Sequence, residues 1–205
     1  MEEDKLLMLG IVPRLSRHVH VQAQDIIAMS SHITLSKDLP CVLILAAGRG
    51  ERFLASGGST HKLAAALGNS TVLEATLAAV QASGLPWHLE RGPHPGMGDS
   101  IAAGVAACPD VDGWLIVLGD MPFILPSSIE RVTAAMVDDA VSVPVQDGEF
   151  GHPVGFGRSF GSGLLALSGD RGARPLFKQG RVVEVLVDDP GVLWDIDVPE
   201  ALVFK

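Results

Sequence analysis

From residue 39 onwards, short apolar runs alternate with longer segments in which apolar residues recur every three or four positions. The runs at 42–46 and 114–118 lack polar residues, which predicts two buried strands. Further strands are predicted at 87–90, 140–145 and 181–187, and helices at 71–83, 99–108, 127–137, 163–167 and 173–179. This alternation indicates a mostly parallel sheet covered by helices on both faces, so the predicted fold class is α/β.

Residues 1–38 lack this alternation and contain scattered serines together with His18 and His20. They are predicted to form an N-terminal extension, and residues 39–205 the main domain. A metal site at the two histidines is not favoured, because no third ligand lies nearby in the sequence.

The loop after the first predicted strand is small, glycine-rich and basic. Glycines let a backbone approach a ligand closely, and exposed N–H groups there bind anions. This composition suits a triphosphate, although a glycine-rich turn between a strand and a helix is common without one. The stretch comprises Leu45, Ala46, Ala47, Gly48, Arg49, Gly50, Glu51, Arg52 and Phe53, with Lys62 shortly afterwards.

Two better-known glycine motifs are excluded at this loop. A dinucleotide fingerprint requires G-x-G-x-x-G, and Phe53 stands where its third glycine would be. A P-loop requires a Gly-Lys-Ser/Thr sequence, which the chain does not contain. The loop is therefore predicted to be neither a nicotinamide dinucleotide site nor a Walker A site.

Carboxylates follow the apolar runs at two further places. Asp120 comes directly after the strand predicted at 114–118, and Asp195 and Asp197 share one face of an extended segment near the C-terminus. Mg²⁺ prefers such oxygen ligands together with substrate phosphates. Asp120 and Asp197 are the predicted metal ligands, while capping of the next helix is an equally simple role for each.

Two other glycine-containing segments are candidates for ligand contact. Gly98 and Ser100 lie in a turn before a predicted helix, where backbone N–H groups and the serine hydroxyl can face a base or a phosphate. His152 and Pro153 lie in the segment 151–156, which is predicted to be a rigid loop, where the histidine can contact an acceptor phosphate or serve a structural hydrogen bond. No Ser-His-Asp or Cys-His arrangement is visible, so covalent catalysis has no support.

Composition narrows the possible partners. The chain has 205 residues, 47% of them hydrophobic, and a net charge of −9, which argues against a broad nucleic-acid or membrane surface. No apolar run reaches the ~18 residues of a membrane span, and the acidic N-terminus lacks the basic start of a secretory signal. Cys41 and Cys108 are expected to be buried free thiols of a cytoplasmic protein.

Taken in order, these segments resemble the MobA-like nucleotidyltransferases, and most nearly the molybdenum cofactor cytidylyltransferases. The resemblance covers about residues 40–203. It rests on LAAGRGERF with HKL, GMGDSI, VLGDMPF, GHPVGFGR, LSGDRGAR and DIDVPE. It implies a Rossmann-like three-layer α/β/α nucleotidyltransferase domain with a mostly parallel sheet, of the nucleotide-diphospho-sugar transferase type.

The resemblance also implies an activity: transfer of CMP from CTP to the terminal phosphate of a molybdopterin-type acceptor, with Mg²⁺ and release of pyrophosphate. Lys62, Asp120 and Arg52 are then the catalytic residues, and Asp120 and Asp197 hold the metal. The nucleotide-binding residues are Leu45, Ala46, Ala47, Gly48, Arg49, Gly50, Lys62, Gly98 and Ser100, and His152 and Pro153 contact the acceptor.

Two alternatives stay open. One keeps the chemistry but uses GTP or another nucleoside triphosphate with a different phosphate acceptor; Ala47, where guanylyl-transferring relatives usually carry glycine, favours CTP. The other is a non-catalytic carrier that delivers matured cofactor to a molybdenum hydroxylase. The combination of Lys62, Asp120 and Asp197 argues against a carrier, which has less need of a metal site.

Overall fold

The computed structural model describes residues 39–204. The predicted N-terminal extension, with His18 and His20, lies outside the described residues.

Nine strands and five α-helices alternate in residues 39–204, joined by short 3-10 turns. The strands are β1 (Cys41–Leu45), β2 (Ala66–Leu67), β3 (Ser70–Thr71), β4 (Trp87–Glu90), β5 (Gly113–Leu118), β6 (Ala140–Gln146), β7 (Glu149–Phe150), β8 (Val154–Gly157) and β9 (Arg181–Leu186). The α-helices are α1 (Glu51–Ala55), α2 (Val72–Ala82), α3 (Met97–Ala107), α4 (Pro126–Ala134) and α5 (Gly161–Leu165).

Seven of the strands form one mixed sheet. Its order is β4-β1-β5-β8-β6-β7, and β9 pairs with β6. The strands β4, β1 and β5 are parallel, as are β6 and β9, whereas β8 runs antiparallel to both of its neighbours. β2 and β3 form a separate two-stranded hairpin. The predicted mostly parallel α/β sheet is confirmed.

Alternate residues of the central strands build two cores, one on each face of the sheet. Val42 and Ile44 of β1 point into the core that contains α2 and α4, while Cys41 and Leu43 point into the core that contains α3 and α5. Because successive side chains of a strand point to opposite faces, an uninterrupted apolar run is required in a strand covered on both sides. This explains the three-layer α/β/α architecture.

The boundaries of most predicted elements agree with the structure to within a few residues. Helix α2 begins after Thr71, whose hydroxyl accepts from the Glu74 N–H while the Glu74 carboxylate accepts from the Thr71 N–H. This reciprocal capping box satisfies two N–H groups that a helix start would otherwise leave unpaired.

The rigid loop predicted at 151–156 is wrong in its second half, because residues from Val154 onwards form the buried strand β8. Two of its four residues are glycines, which weakens any apolar pattern. They are required by close packing: a Cβ at Gly157 would lie 2.1 Å from the Val137 carbonyl oxygen, and one at Gly155 2.8 Å from Met136 Cγ.

Cys41 and Cys108 are buried free thiols, as predicted. Their Sγ atoms lie 3.0 Å apart, between β1 and the end of α3. None of the helices in the described part of the chain has the length and hydropathy needed to cross a bilayer.

Candidate active site

Three parallel strands end side by side at one edge of the sheet. Leu45, the last residue of β1, pairs in register with Leu118 of β5 and with Glu90 of β4. The segments that follow these strands therefore meet at this edge: the glycine loop (residues 46–50) after β1, Asp120 after β5, and residues 91–96 after β4. Ligands of open α/β sheets bind at the carboxyl ends of strands, so the topology points to this edge.

Backbone contacts fix Asp120 at the end of β5. The Gly119 N–H donates to the Leu45 carbonyl oxygen at 2.9 Å, and a Cβ at Gly119 would lie 2.9 Å from that same oxygen. The Thr76 hydroxyl of α2 donates to the Gly119 carbonyl at 3.1 Å. Only glycine permits this close approach, so the position of Asp120 is set by both β1 and α2.

His61 supports the glycine loop and positions Lys62. The Leu63 N–H donates to His61 Nδ1 at 3.3 Å, which leaves Nε2 as the donor to the Gly48 carbonyl oxygen at 2.8 Å. Gly50 has a φ of +65°, a left-handed conformation that favours glycine, and lies against the His61 ring. His61 therefore connects the loop to the 3-10 turn Lys62–Ala64.

Lys62 joins carboxylates that come from two distant parts of the sequence. Its Nζ contacts Asp120 Oδ2 and lies 3.0 Å from Asp197 Oδ1. Arg52 donates to Asp197 Oδ2 at 2.7 Å. The Lys62 side chain is 14% exposed and that of Arg52 is 82% exposed. Solvent therefore screens the arginine pair much more than the lysine pair.

The pKa values of Lys62, Asp197 and Asp195 are set by their burial and by the charges next to them. Burial opposes the charge on Lys62, but Asp120 and Asp197 outweigh burial and raise the pKa of the ammonium group above 10.5. Burial also opposes ionisation of Asp197, yet Lys62 and Arg52 outweigh it and lower the pKa of that carboxyl. Burial, together with the charges of Asp120 and Asp197, raises the pKa of Asp195.

Within residues 39–204, the structure brings three carboxylates together in a group that could hold a metal ion. One carboxylate oxygen each of Asp120, Asp195 and Asp197 lies within 4.8 Å of the others. The Ile196 N–H donates to the Asp120 carbonyl oxygen at 2.9 Å, which holds the C-terminal segment in place. Oxygen donors of this kind fit a hard divalent cation, and a cation would relieve the repulsion that raises the pKa of Asp195.

A cavity of about 560 Å³ lies over this edge of the sheet. Its walls are formed by the glycine loop, the start of α1, the Lys62 turn, the segment after β4 and the carboxylates. Its lining includes most of the residues predicted to bind nucleotide, to catalyse or to hold the metal: Leu45, Ala47, Gly48, Arg49, Gly50, Arg52, Lys62, Ser100, Asp120 and Asp197.

Ala46 and Gly98 are not among the residues that line this cavity. Gly98 was predicted to lie in a turn, but α3 already begins at Met97, so Gly98 and Ser100 lie inside the helix. A Cβ at Gly98 would be 2.8 Å from the Ser168 backbone nitrogen, which shows that this glycine permits close packing. The Ser100 hydroxyl donates to the Gly96 carbonyl at 3.2 Å.

A second cavity, of about 820 Å³, adjoins the first and shares Met97 and Leu118 with it. Its lining is largely apolar. Three basic side chains, Arg171, Arg174 and Lys178, also contribute to it. His152 lines this second cavity rather than the first, whereas Pro153 is absent from the lining of both.

His152 lies near the junction of the two cavities. Its ring Nδ1 is buried and has no hydrogen-bond partner among residues 39–204. Burial lowers the pKa of His152 below 6.5, although the Ile116 carbonyl and the Asp120 carboxylate act in the opposite direction. The ring is therefore held in its neutral form, with one buried nitrogen unpaired.

Sequence reasoning did not select Asp195 and His94, which line the first cavity, or Glu90, which contacts His94 beside it. Asp195 was recognised as a neighbour of Asp197 but was not selected as a ligand. Glu90 and His94 were not selected at all, although Glu90 ends the predicted strand that became β4, at the same edge, and His94 follows it. The signal that could have found them is that position after a parallel strand.

Comparisons with known proteins agree with this architecture. A sequence model of the family described as the MobA-like NTP transferase domain matches residues 75–185. The purine catabolism protein PucB of Bacillus subtilis (strain 168) is 32% identical over 120 residues, which cover 55% of this chain and 57% of PucB. The match thus spans little more than half the length of that curated relative.

Solved structures share the fold. Rv0371c from Mycobacterium tuberculosis H37Rv has a TM-score of 0.70 at 24% identity, covering 81% of this chain and 96% of that one. Its complex with manganese has a TM-score of 0.65 at 23% identity, with coverages of 80% and 95%. A nucleotidyl transferase from Methanothermobacter thermautotrophicus has a TM-score of 0.69 at 23% identity, with coverages of 80% and 94%.

A further solved structure is the molybdopterin-guanine dinucleotide biosynthesis protein A from Archaeoglobus fulgidus. It has a TM-score of 0.54 at 18% identity, covering 79% of this chain and 94% of that chain. At these identities the likenesses establish the fold alone, a three-layer α/β/α domain with a mostly parallel sheet.

Proposed function

The chain belongs to the family of MobA-like NTP transferases, and from this premise we propose that it is a nucleotidyltransferase that transfers CMP from CTP to the terminal phosphate of a molybdopterin-type cofactor. One observation carries the proposal: the glycine loop, Lys62 and the carboxylates line one cavity at the ends of parallel strands. Backbone N–H groups and fixed cations at such an edge suit a triphosphate.

The proposed reaction is an in-line displacement at phosphorus. An oxygen of the acceptor phosphate attacks the α-phosphorus of CTP, the bond from that phosphorus to the bridging oxygen breaks, and pyrophosphate leaves with the electron pair. The attacking phosphate is already ionised at neutral pH, so no strong general base is required. Positioning and neutralisation of charge then provide most of the acceleration.

The roles of the side chains follow from their places in the cavity. The residues around the glycine loop, from Leu45 to Gly50 together with Arg52, would hold the β- and γ-phosphates. Lys62 would stabilise the charge that develops on the departing pyrophosphate. These roles require Lys62 to exchange its carboxylate partners for phosphate oxygens when the nucleotide binds.

Asp120 and Asp197 would hold Mg²⁺, with Asp195 as a third carboxylate within reach. A bound divalent ion of this kind would neutralise phosphate charge and orient the α-phosphate. The oxygen donors in the group support this assignment, as does the manganese complex of a protein with the same fold.

The second cavity is the proposed site of the acceptor. It adjoins the nucleotide cavity through Met97 and Leu118, so an acceptor there would lie next to the bound nucleotide. Apolar walls suit a flat heterocycle, and the basic side chains suit its phosphate. His152 would face the acceptor, and a molybdenum hydroxylase is the class of enzyme proposed to receive the product.

Pyrophosphate release tests this function. The protein is incubated with Mg²⁺, a molybdopterin-type acceptor and each of CTP, GTP, ATP and UTP. We expect release with CTP that depends on the acceptor and is abolished by Asp120→Asn, while the circular dichroism spectrum of that variant is unchanged. Release with GTP would identify a different donor, and release with none of the four would favour a carrier.

A further inference from the structure

A cluster of two histidines and a glutamate lies beside the nucleotide cavity, and nothing in the proposed chemistry uses it. Glu90 ends β4, and its carboxylate accepts from His94 Nε2 at 2.8 Å, from the Gly92 N–H at 2.9 Å and from His88 Nε2 at 3.3 Å. His94 lines the nucleotide cavity together with Pro95 and Gly96, whereas His88 does not. The cluster therefore presents one of its two rings to the ligand.

The place of His94 in the sheet indicates which part of a nucleotide it would face. The strands whose ends form the site run in the order β4, β1, β5, with the glycine loop after β1 in the middle and Asp120 after β5. Neighbouring strands are about 4.8 Å apart, so β4 lies roughly 10 Å from β5. His94 therefore lies on the opposite side of the glycine loop from Asp120, and a nucleotide that folds over this loop with its α-phosphate near Asp120 would have its base towards β4 and His94.

The contacts of Glu90 determine which hydrogen-bonding group His94 offers. An ionised carboxylate only accepts hydrogen bonds, so the ring nitrogen that faces it, Nε2, carries the proton. The three donors outweigh burial and lower the pKa of Glu90, which keeps it ionised at neutral pH. In the neutral His94 ring the other nitrogen, Nδ1, is then an acceptor.

The position of the ring is also fixed. A Cβ at Gly92 would lie 2.7 Å from His94 Nε2 and 3.0 Å from Glu90 Oε1, so the glycine leaves space for the ring to fold back on to the carboxylate. The side chains of His94 and Glu90 are only 19% and 13% exposed. A preorganised acceptor in a partly dry site discriminates more strongly than a mobile one.

We propose that His94 is a specificity-determining residue, whose Nδ1 accepts a hydrogen bond from an exocyclic amino group of the base and so selects CTP over UTP. The inference rests on the proposed function, because it takes the first cavity as the nucleotide site. Cytosine carries an amino group where uracil carries a carbonyl oxygen. With uracil, two acceptors would face each other without a proton between them.

A purely structural role for His94 would be to fasten residues 91–95 to Glu90, and paired substitutions separate the two roles. His94→Gln places its amide near the position of Nε2, so it keeps the contact with Glu90 but lacks a group at the Nδ1 position. His94→Asn places its amide near the position of Nδ1 and gives up the contact with Glu90. His88→Asn is the matched control, because it removes a Glu90 contact outside the cavity.

The measurement is equilibrium binding of CTP and UTP analogues with a non-hydrolysable α–β linkage, at pH 8, where an imidazole is ordinarily neutral. We expect the wild-type protein and His88→Asn to bind the CTP analogue about tenfold more tightly than the UTP analogue, the contribution of one well-placed hydrogen bond. His94→Gln should lose this preference, and His94→Asn should keep most of it.

The assignment would be overturned if His94→Gln kept the wild-type ratio of affinities for the CTP and UTP analogues while having the same thermal midpoint as the wild type. It would also be overturned if the wild-type protein bound the two analogues equally. Because the assay measures binding without an acceptor, it stays separate from the proposed reaction. CTP-selective binding without any pyrophosphate release would count against the transfer and leave the role of His94 standing.

Discussion

Replacing Lys62 by methionine should tighten the binding of free metal ions and make that binding less dependent on nucleotide. The Lys62 ammonium group now contacts both Asp120 and Asp197. A cation that binds these two carboxylates must displace it, which costs free energy unless a triphosphate provides new partners. In the wild-type protein, metal and nucleotide should therefore bind cooperatively.

The size of the effect follows from the geometry. Two unit charges about 4 Å apart interact by about 4 kcal/mol at an effective dielectric constant of 20. Asp197 is 38% exposed, which reduces its share, and the released ammonium regains hydration. A net cost of about 1.5–3 kcal/mol remains, the range of a hydrogen bond to a charged group. This corresponds to roughly 10–150-fold tighter binding of Mn²⁺ to Lys62→Met.

Electron paramagnetic resonance of free Mn²⁺ gives the affinity directly, with and without a non-hydrolysable CTP analogue. Arg52→Met is the matched control: it also removes a cation from Asp197, but that side chain is 82% exposed, so we expect a change of less than about threefold. Lys62→Met should also unfold at a lower temperature without metal, because Asp120 loses its partner. If Lys62→Met bound Mn²⁺ no more tightly than the wild type, the ammonium would not compete with the metal.

Two further predictions concern residues around the site. Because burial lowers the pKa of His152 below 6.5, the unfolded chain binds a proton that the native state rejects, so stability should fall as the pH drops from 6.5 towards that lowered pKa. His152→Gln should flatten this part of the curve of thermal midpoint against pH, whereas parallel curves would refute the effect. Gly119→Ala should destabilise the fold by about 1–3 kcal/mol in urea unfolding and lower turnover, because its Cβ would lie 2.9 Å from the Leu45 carbonyl oxygen. Gly104→Ala, with 3.4 Å to Leu43 Cδ1, is the control, and an equal loss in both would contradict this reasoning.

The sequence predicted those parts of the fold whose cause is local. The runs that became β1 and β5 are apolar throughout, and α2 carries its own start signal in Thr71 and Glu74. Strand β8 was missed because its glycines are required by close packing against another part of the chain, the segment after α4. A local sequence pattern does not reveal that contact.

The candidate site also has parts that could be predicted from the sequence and parts that could not. Residues that directly follow a predicted strand, such as Asp120 and the glycine loop, could be placed at the ligand edge from topology alone. The contact between Lys62 and Asp197 spans 135 residues, so it depends on the complete fold. The role of Glu90 in orienting His94 could not be predicted either, because it depends on the hydrogen bonds between their side chains. The pattern of hydrophobic and polar residues does not indicate such bonds.

Nucleotide-dependent thermal stability tests the central claim most directly. The midpoint is measured with CTP, GTP, ATP and UTP, each with and without Mg²⁺. A ligand at about 100 times its Kd stabilises the native state by about 2.7 kcal/mol, which for a chain of this size is a rise of about 5–10 °C. We predict that rise for CTP with Mg²⁺ and a much smaller one without the metal. No rise with any nucleotide would contradict the assignment of the first cavity as a triphosphate site.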